Sequence, residues 1–263
     1  MGGVVLYRWV DGRSVCGVVC AQSEQAGAET RGPSLMWREH RRLFVLAGLA
    51  VVLAAGLVWV YGRSQEDSLL RQLDHGSTEE RVQAIHGLEK IGSDRAAEAI
   101  AGYADHSDAR LASHAVSALG KMGRPEHLRY VKQAAHHRDE DVREAAAGAM
   151  GGFGDKADVP VLIQSLDDPS QGRRVRVAAA TSLGKVNDYS AMPTLIKAMA
   201  DRDPLVRGRA YAAVRRIIQM DIGFRANDPP QKRQAMIARL RKLYPSLQAR
   251  HDDYVRRMKE RGK

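Results

Sequence analysis

Cysteine is almost missing from this 263-residue chain. Cys16 and Cys20 are the only two, both near the N-terminus, so neither a disulfide framework nor a structural zinc site can be built in the remainder. Aromatic residues make up 5%, too few, with the alanine-rich remainder, for a sheet-based core. There is no Gly-rich phosphate loop, no Gly-x-Ser-x-Gly elbow and no Walker motif. Nine histidines are present, but none has metal-ligand spacing with acids, and His136-His137 reads as a solvated helix end. The sequence therefore nominates no catalytic residue, no metal ligand and no cofactor.

What is present is a folded composition, 44% hydrophobic and 27% charged. The net charge of +10 is unevenly placed. Residues 205–263 carry 16 basic against 5 acidic side chains, whereas residues 62–204 carry 19 against 22. The body is close to neutral and the excess sits at the C-terminal end.

Residues 43–61 (LFVLAGLAVVLAAGLVWVY) are uncharged and almost wholly apolar. As a helix they would span roughly 28 Å, close to a bilayer core. Trp59 and Tyr61 stand at the edge, where aromatic rings favour the interface. The run is long for a cleaved signal and lacks a small-residue cleavage site, so an uncleaved transmembrane anchor is expected. Arg38, Arg41 and Arg42 precede it, which by the positive-inside rule sends the rest outward. The expected location is a single pass through the bacterial inner membrane with a periplasmic C-terminal domain. Residues 1–35 lack a clear period and are expected to be either a disordered extension or sequence ahead of a true start at Met36.

Beyond the apolar run the chain repeats. Aligned on Leu88, Leu119, Met150, Leu183 and Val214, five segments recur at spacings of 31, 31, 33 and 31 residues. Four residues before each anchor stands alanine: Ala84, Ala115, Ala146, Ala179 and Ala210. Residues four apart share a helix face, so each segment predicts a helix with a small-then-large contact stripe. Four residues after the anchors come Gly92, Gly123, Gly154 and Asn187, the residue types that close a helix in the left-handed conformation. The fifth segment has Ile218 there, so its helix is expected to run on. A second helix follows each cap, with Ile100, Val131, Leu162 and Leu195 in one apolar column. Acidic turns such as Asp139-Glu140-Asp141 and Asp201-Arg202-Asp203 lead into the next first helix, where negative charge suits the helix dipole.

The motif Asp-x-x-Val-Arg-x-x-Ala followed by Leu-Gly-x-x-Gly resembles the HEAT-like repeats of the phycobilisome lyase type. It is met at Asp139 to Ala146 and Asp203 to Ala210, more loosely at Arg81 and Ala112, and covers about residues 67–219. The resemblance implies an all-α fold, an α-solenoid of helix pairs, here preceded by the single N-terminal transmembrane helix. It says little about function, because such repeats serve unrelated roles. The expected division is 1–35 extension, 36–62 basic flank and anchor, 63–219 solenoid, 220–249 capping amphipathic helix region and 250–263 charged tail.

Two sets of cations compete as binding sites. Arg81, Arg143, Arg176 and Arg207 form a Val-Arg column, expected to pair with the acidic turns that share its period. Gln231 to Tyr244 reads as an amphipathic helix started by Asp228, with Lys232, Arg233, Arg239, Arg241 and Lys242 as a basic rim. Capping the array is its default role and docking a partner the functional one. The combined expectation is a membrane-anchored, non-catalytic scaffold whose partner is a protein, nucleic acid being disfavoured. Polyanion binding by the basic C-terminal region stands second, and the bilin-lyase activity implied by the resemblance third.

Overall fold

The computed structural model describes residues 9–10, 13–14, 51–53 and 61–262. The chain divides into two units, Met1–Leu57 and Val58–Lys263. In the first, strands β1 (Trp9–Val10) and β2 (Arg13–Ser14) pair antiparallel, Trp9 opposite Ser14. Most of residues 1–35 lies outside the described residues.

The transmembrane anchor has to be corrected. Among the described residues no helix is long and apolar enough to cross a membrane. Of the apolar run 43–61, only 51–53 and 61 are described. The helix that opens the second unit, α1 at 61–75, carries Arg63, Glu66, Asp67 and Arg71, charges that a bilayer core does not accept without compensation. The single-pass inner-membrane location built on that anchor is likewise not supported among the described residues.

The second unit is an all-helical solenoid. First helices α2 (Thr78–Ile91), α4 (Ala109–Met122), α6 (Glu140–Phe153), α8 (Arg173–Val186) and α10 (Pro204–Ile218) form one layer. Second helices α3 (Asp94–Ala101), α5 (Leu128–Ala134), α7 (Val159–Asp167) and α9 (Met192–Ala198) form the other. After α10 a non-helical stretch leads to α11 (Pro230–Arg261).

The alanine column is the contact line of the first layer: Ala84, Ala115, Ala146, Ala179 and Ala210 are all fully buried, as are the five anchors. Gly92, Gly123, Gly154 and Asn187 close α2, α4, α6 and α8 in the left-handed region, with φ of 67°, 63°, 67° and 58°, each donating its N–H to an anchor carbonyl. The fifth helix runs on by one residue, and Gln219 takes the left-handed cap at φ 52°.

A second seam of small residues sets how closely the first helices approach. A Cβ built on Gly120 would sit 2.4 Å from Ala149 Cβ, one on Gly151 2.4 Å from Ser182 Oγ, and one on Gly184 2.9 Å from Ala213 Cα. Each glycine follows its repeat's anchor, and each partner precedes the next anchor. Bare backbone thus faces a minimal side chain from α4 through to α10. In α2 that place is taken by Glu89, which pairs with Lys121 at 3.1 Å.

Ion pairs recur at the same interval. Glu79 meets Arg110, Glu89 meets Lys121, Asp94 meets Arg124, Asp141 meets Arg174, Lys156 meets Asp188 and Asp167 meets Lys197. Each joins one repeat to its neighbour on the surface, where a single pair contributes about 1 kcal/mol at most. Register is set chiefly by the apolar columns.

Candidate partner-binding surfaces

The Val-Arg column is used up inside the fold. Arg143 Nη1 donates to the carbonyls of His137 and Arg138 at 2.7 and 2.8 Å, while its Nε reaches Gln171 in the next turn at 2.9 Å. Arg207 Nη1 donates to Asp201 O and Arg202 O at 2.8 and 3.0 Å, and its Nε to Ala226 O at 2.8 Å. Arg176 bonds Leu166 O and pairs with Asp201 of the following turn, and Arg81 donates to Asp74 O. The expectation of pairing with acids is met only at Arg176. The other three donate mainly to backbone carbonyls, Arg81 at the end of α1 and Arg143 and Arg207 in the turns that precede their own helices.

α4 has Ala112 in this column, and there Arg138 reaches back from the next turn to Ser107 O at 3.3 Å. The acids of the turns cap helices instead: Asp108, Asp139 and Asp203 accept the N–H groups of Arg110, Asp141 and Leu205. Two residues before these caps, His106 Nδ1, His137 Nδ1 and Asp201 Oδ1 accept the N–H of the cap residue itself, which gives two of the nine histidines a structural task.

The C-terminal helix differs most from expectation. Rather than a helix ending at Tyr244 and a separate tail from 250, α11 continues through Pro245 to Arg261. Proline removes one backbone donor, yet the helix persists because its stripe keeps finding contacts. Ile237, Leu240 and Leu247 are buried, and His251 stacks on Tyr189 with ring centroids 4.0 Å apart. Further on, Asp253 pairs with Arg256 and Arg257 one turn away. The N-cap falls on Pro229, not Asp228, whose carboxylate pairs with Lys232 at 3.1 Å and whose carbonyl accepts from Arg233 at 2.5 Å. Of the five rim cations, Lys232 and Arg233 therefore brace the helix start, while Arg239, Arg241 and Lys242 are exposed.

Buried polar groups absent from the sequence reading occupy the turns before α5 and α7. His127 is 5% exposed and Asp158 is fully buried. Lys132 Nζ lies 2.8 Å from Asp158 Oδ1 without hydrogen-bond alignment, so the contact is one of charge. Among the described residues no group of three or more His, Cys, Asp or Glu is placed to hold a metal ion.

On the first-helix layer, His114 of α4 packs edge-on against His86 of α2, ring centroids 5.0 Å apart. Burial first, then His86, Arg110 and Lys121, hold His114 below its ordinary pKa of 6.5. The unfolded chain therefore binds this proton more tightly than the folded one. The site's stabilising contribution is complete above pH 6.5 and declines as pH falls from there towards the depressed folded value. Urea midpoints are expected to drop between about pH 7 and pH 5.5, with a shallower drop in His114→Gln, since the substitution removes the proton-binding difference.

A family model of HEAT repeats matches residues 66–136, 106–176 and 160–258. The chain belongs to the HEAT-repeat family. The matched residues include most of α11. The solved complex of CpcE and CpcF of phycocyanin lyase from Nostoc sp. PCC7120 is similar at 24% identity and a TM-score of 0.53, over 59% of this HEAT-repeat chain. The chain spans 65% of the length of that relative. An engineered protein is similar at 16% identity and a TM-score of 0.48, over 69% of this chain and 97% of that one. A computationally designed armadillo repeat protein for modular peptide recognition is similar at 16% identity and 0.42, over 67% and 90%. No curated protein matches the HEAT-repeat chain.

Proposed function

We infer that the chain is a non-catalytic scaffold that binds a partner protein on its second-helix layer. The observation that carries this reading is α11, an amphipathic helix docked by the chain itself against α9 and the Tyr189 turn. Burial of apolar side chains such as Ile237, Leu240 and Leu247 is worth about 1.5–3 kcal/mol each, so the layer is a surface on which an amphipathic helix gains free energy. Laying such a helix into a groove between helices is a common mode of protein recognition. α11 occupies the layer at α9, and α7, α5 and α3 continue it towards the N-terminus, where a partner helix docks in the same manner.

The polar groups of the repeat support the scaffold reading over chemistry. Its recurring arginines and acids are spent on carbonyls, caps and repeat-to-repeat pairs. The likeness to a lyase complex, at 24% identity, speaks to fold and not to activity. A photo-crosslinking amino acid placed singly at Glu98, Arg129 or Gln164, exposed positions on α3, α5 and α7, tests the proposal in expressing cells. The expected result is one shared cross-linked protein from all three positions and none from Pro169 in a turn. No product at the three helix positions, or the same product from Pro169, would refute it.

A further inference from the structure

A second cation column runs along the first helices. Two residues after each anchor stand Lys90, Lys121, Gly152, Lys185 and Arg216. Four of the five first helices thus present a cation at the same position of the first-helix layer. Lys90, Lys185 and Arg216 are exposed, and among the described residues none has a hydrogen bond or ion pair, unlike the Val-Arg column. Lys121 shares its charge with Glu89. Arg209, also exposed and without such a partner, joins Lys185 and Arg216.

Where α6 has Gly152, the ladder is interrupted and the surface dips. A cavity of about 400 Å³ opens there between Lys121 and Lys185, over a floor that includes Gly120, Gly148 and Gly152. A second, of about 160 Å³, lies between α8 and α10 and is walled by Lys185, Arg209 and Arg216. Lys185 lines both, so the two cavities adjoin at its side chain and make a stepped groove across the first helices from α4 to α10. The floor follows from the glycine seam: helices packed backbone-to-side-chain leave little projecting above them.

We propose that this groove binds an extended acidic segment of a partner protein. Charge complementarity selects the sign, because four cations and no acid stand in the lining. A flat glycine and alanine floor admits a peptide backbone. No aromatic side chain lines either cavity, so the stacking on which single-stranded nucleic acids depend is missing. Spacing agrees as well. Packed helices lie roughly 8–10 Å apart, and an extended chain rises about 3.3 Å per residue, so an acid at every third residue keeps step with the helices. The occupant is a stretch of roughly nine residues from Lys121 to Arg216, counted at those spacings. This surface is distinct from the second-helix layer, and each stands or falls without the other.

The test is fluorescence polarisation on the full chain with a labelled twelve-residue (Glu-Gly-Ser)4 peptide and its glutamine counterpart. The glutamate peptide is expected to bind and the glutamine peptide not to. Lys185→Glu with Arg216→Glu should weaken binding at least tenfold, whereas Arg241→Glu with Lys242→Glu on α11 should leave it within twofold. Gly148→Met, which fills the cavity without changing charge at a position with nothing within 4 Å of an added Cβ, should also weaken it several-fold. Equal losses from the groove and α11 reversals would show unspecific attraction and overturn the proposal. So would an unaffected Gly148→Met, or tighter binding of a single-stranded oligonucleotide of the same charge.

Discussion

Gly120→Ala is expected to lower stability by about 2 kcal/mol, while Gly148→Ala, a repeat further along, raises it by about 0.5–1 kcal/mol. Both replace a helical glycine by the best helix former, so propensity favours both. The difference lies in what the new methyl meets. At Gly120 it lands 2.4 Å from Ala149 Cβ and 2.6 Å from Ala149 Cα, and the second atom is backbone that no rotamer can move aside. Either α6 shifts away from α4, loosening the columns through Ala115, Ala146 and the anchors, or the overlap is carried as strain. At Gly148 nothing lies within 4 Å. Each repeat contacts chiefly its neighbours, so a wedge between α4 and α6 also weakens coupling across that junction. Urea unfolding of Gly120→Ala should broaden or split into two transitions as the repeats on either side lose cooperativity, with Gly148→Ala remaining sharp. Equal effects of the two would mean that the seam does not control helix approach.

Arg207→Met should cost about 3 kcal/mol, against less than about 0.5 kcal/mol for Arg209→Met two residues away. Arg207 is 7% exposed and donates to three carbonyls, two in the turn before α10 and one in the stretch before α11. Burial, then the neighbouring Arg233, lower its pKa, with Asp203 opposing. An arginine remains charged under such conditions, and its fork is what spans the two segments. Methionine keeps much of the volume but leaves three carbonyls without this donor. Arg207→Lys keeps the charge but not the fork and is expected to recover less than half of the loss. Hydrogen exchange provides the local readout: amides around Ile222 and Phe224, both buried, should exchange faster in the variant while those of α2 and α4 do not.

The parts of this molecule legible in its sequence are those set by contacts within one helix or at its end. Anchors, alanines and left-handed caps recur at fixed offsets, and Asn187 in a glycine column was sufficient to show that backbone conformation, not chance, maintains it. What the sequence concealed depends on groups it does not distinguish. Backbone carbonyls carry no letter, so Arg143 and Arg207 read as partners for acids. Gly120 and Gly184 stand in the Leu-Gly-x-x-Gly motif, and Gly151 at the same offset, but their task is not written there, since only the neighbouring helix shows what an added methyl would strike. The dense charge after Arg250 reads as a separate tail, because the partner that extends the helix, Tyr189, lies far upstream in sequence. The apolar run 43–61 invited a membrane reading on local hydropathy alone, which the described helices do not support.

α11 also bears on the order in which the molecule is completed during synthesis. A solenoid can assemble as it emerges, each helix pair settling on the one before. The last helix breaks that order by reaching back, so that His251 meets a tyrosine made long before it. Until α11 has emerged from the ribosome, the face around Tyr189 stays open and available to chaperones or to a binding partner already present. A partner that competes with α11 would therefore have its best opportunity on the nascent chain, before the protein can cover that face itself.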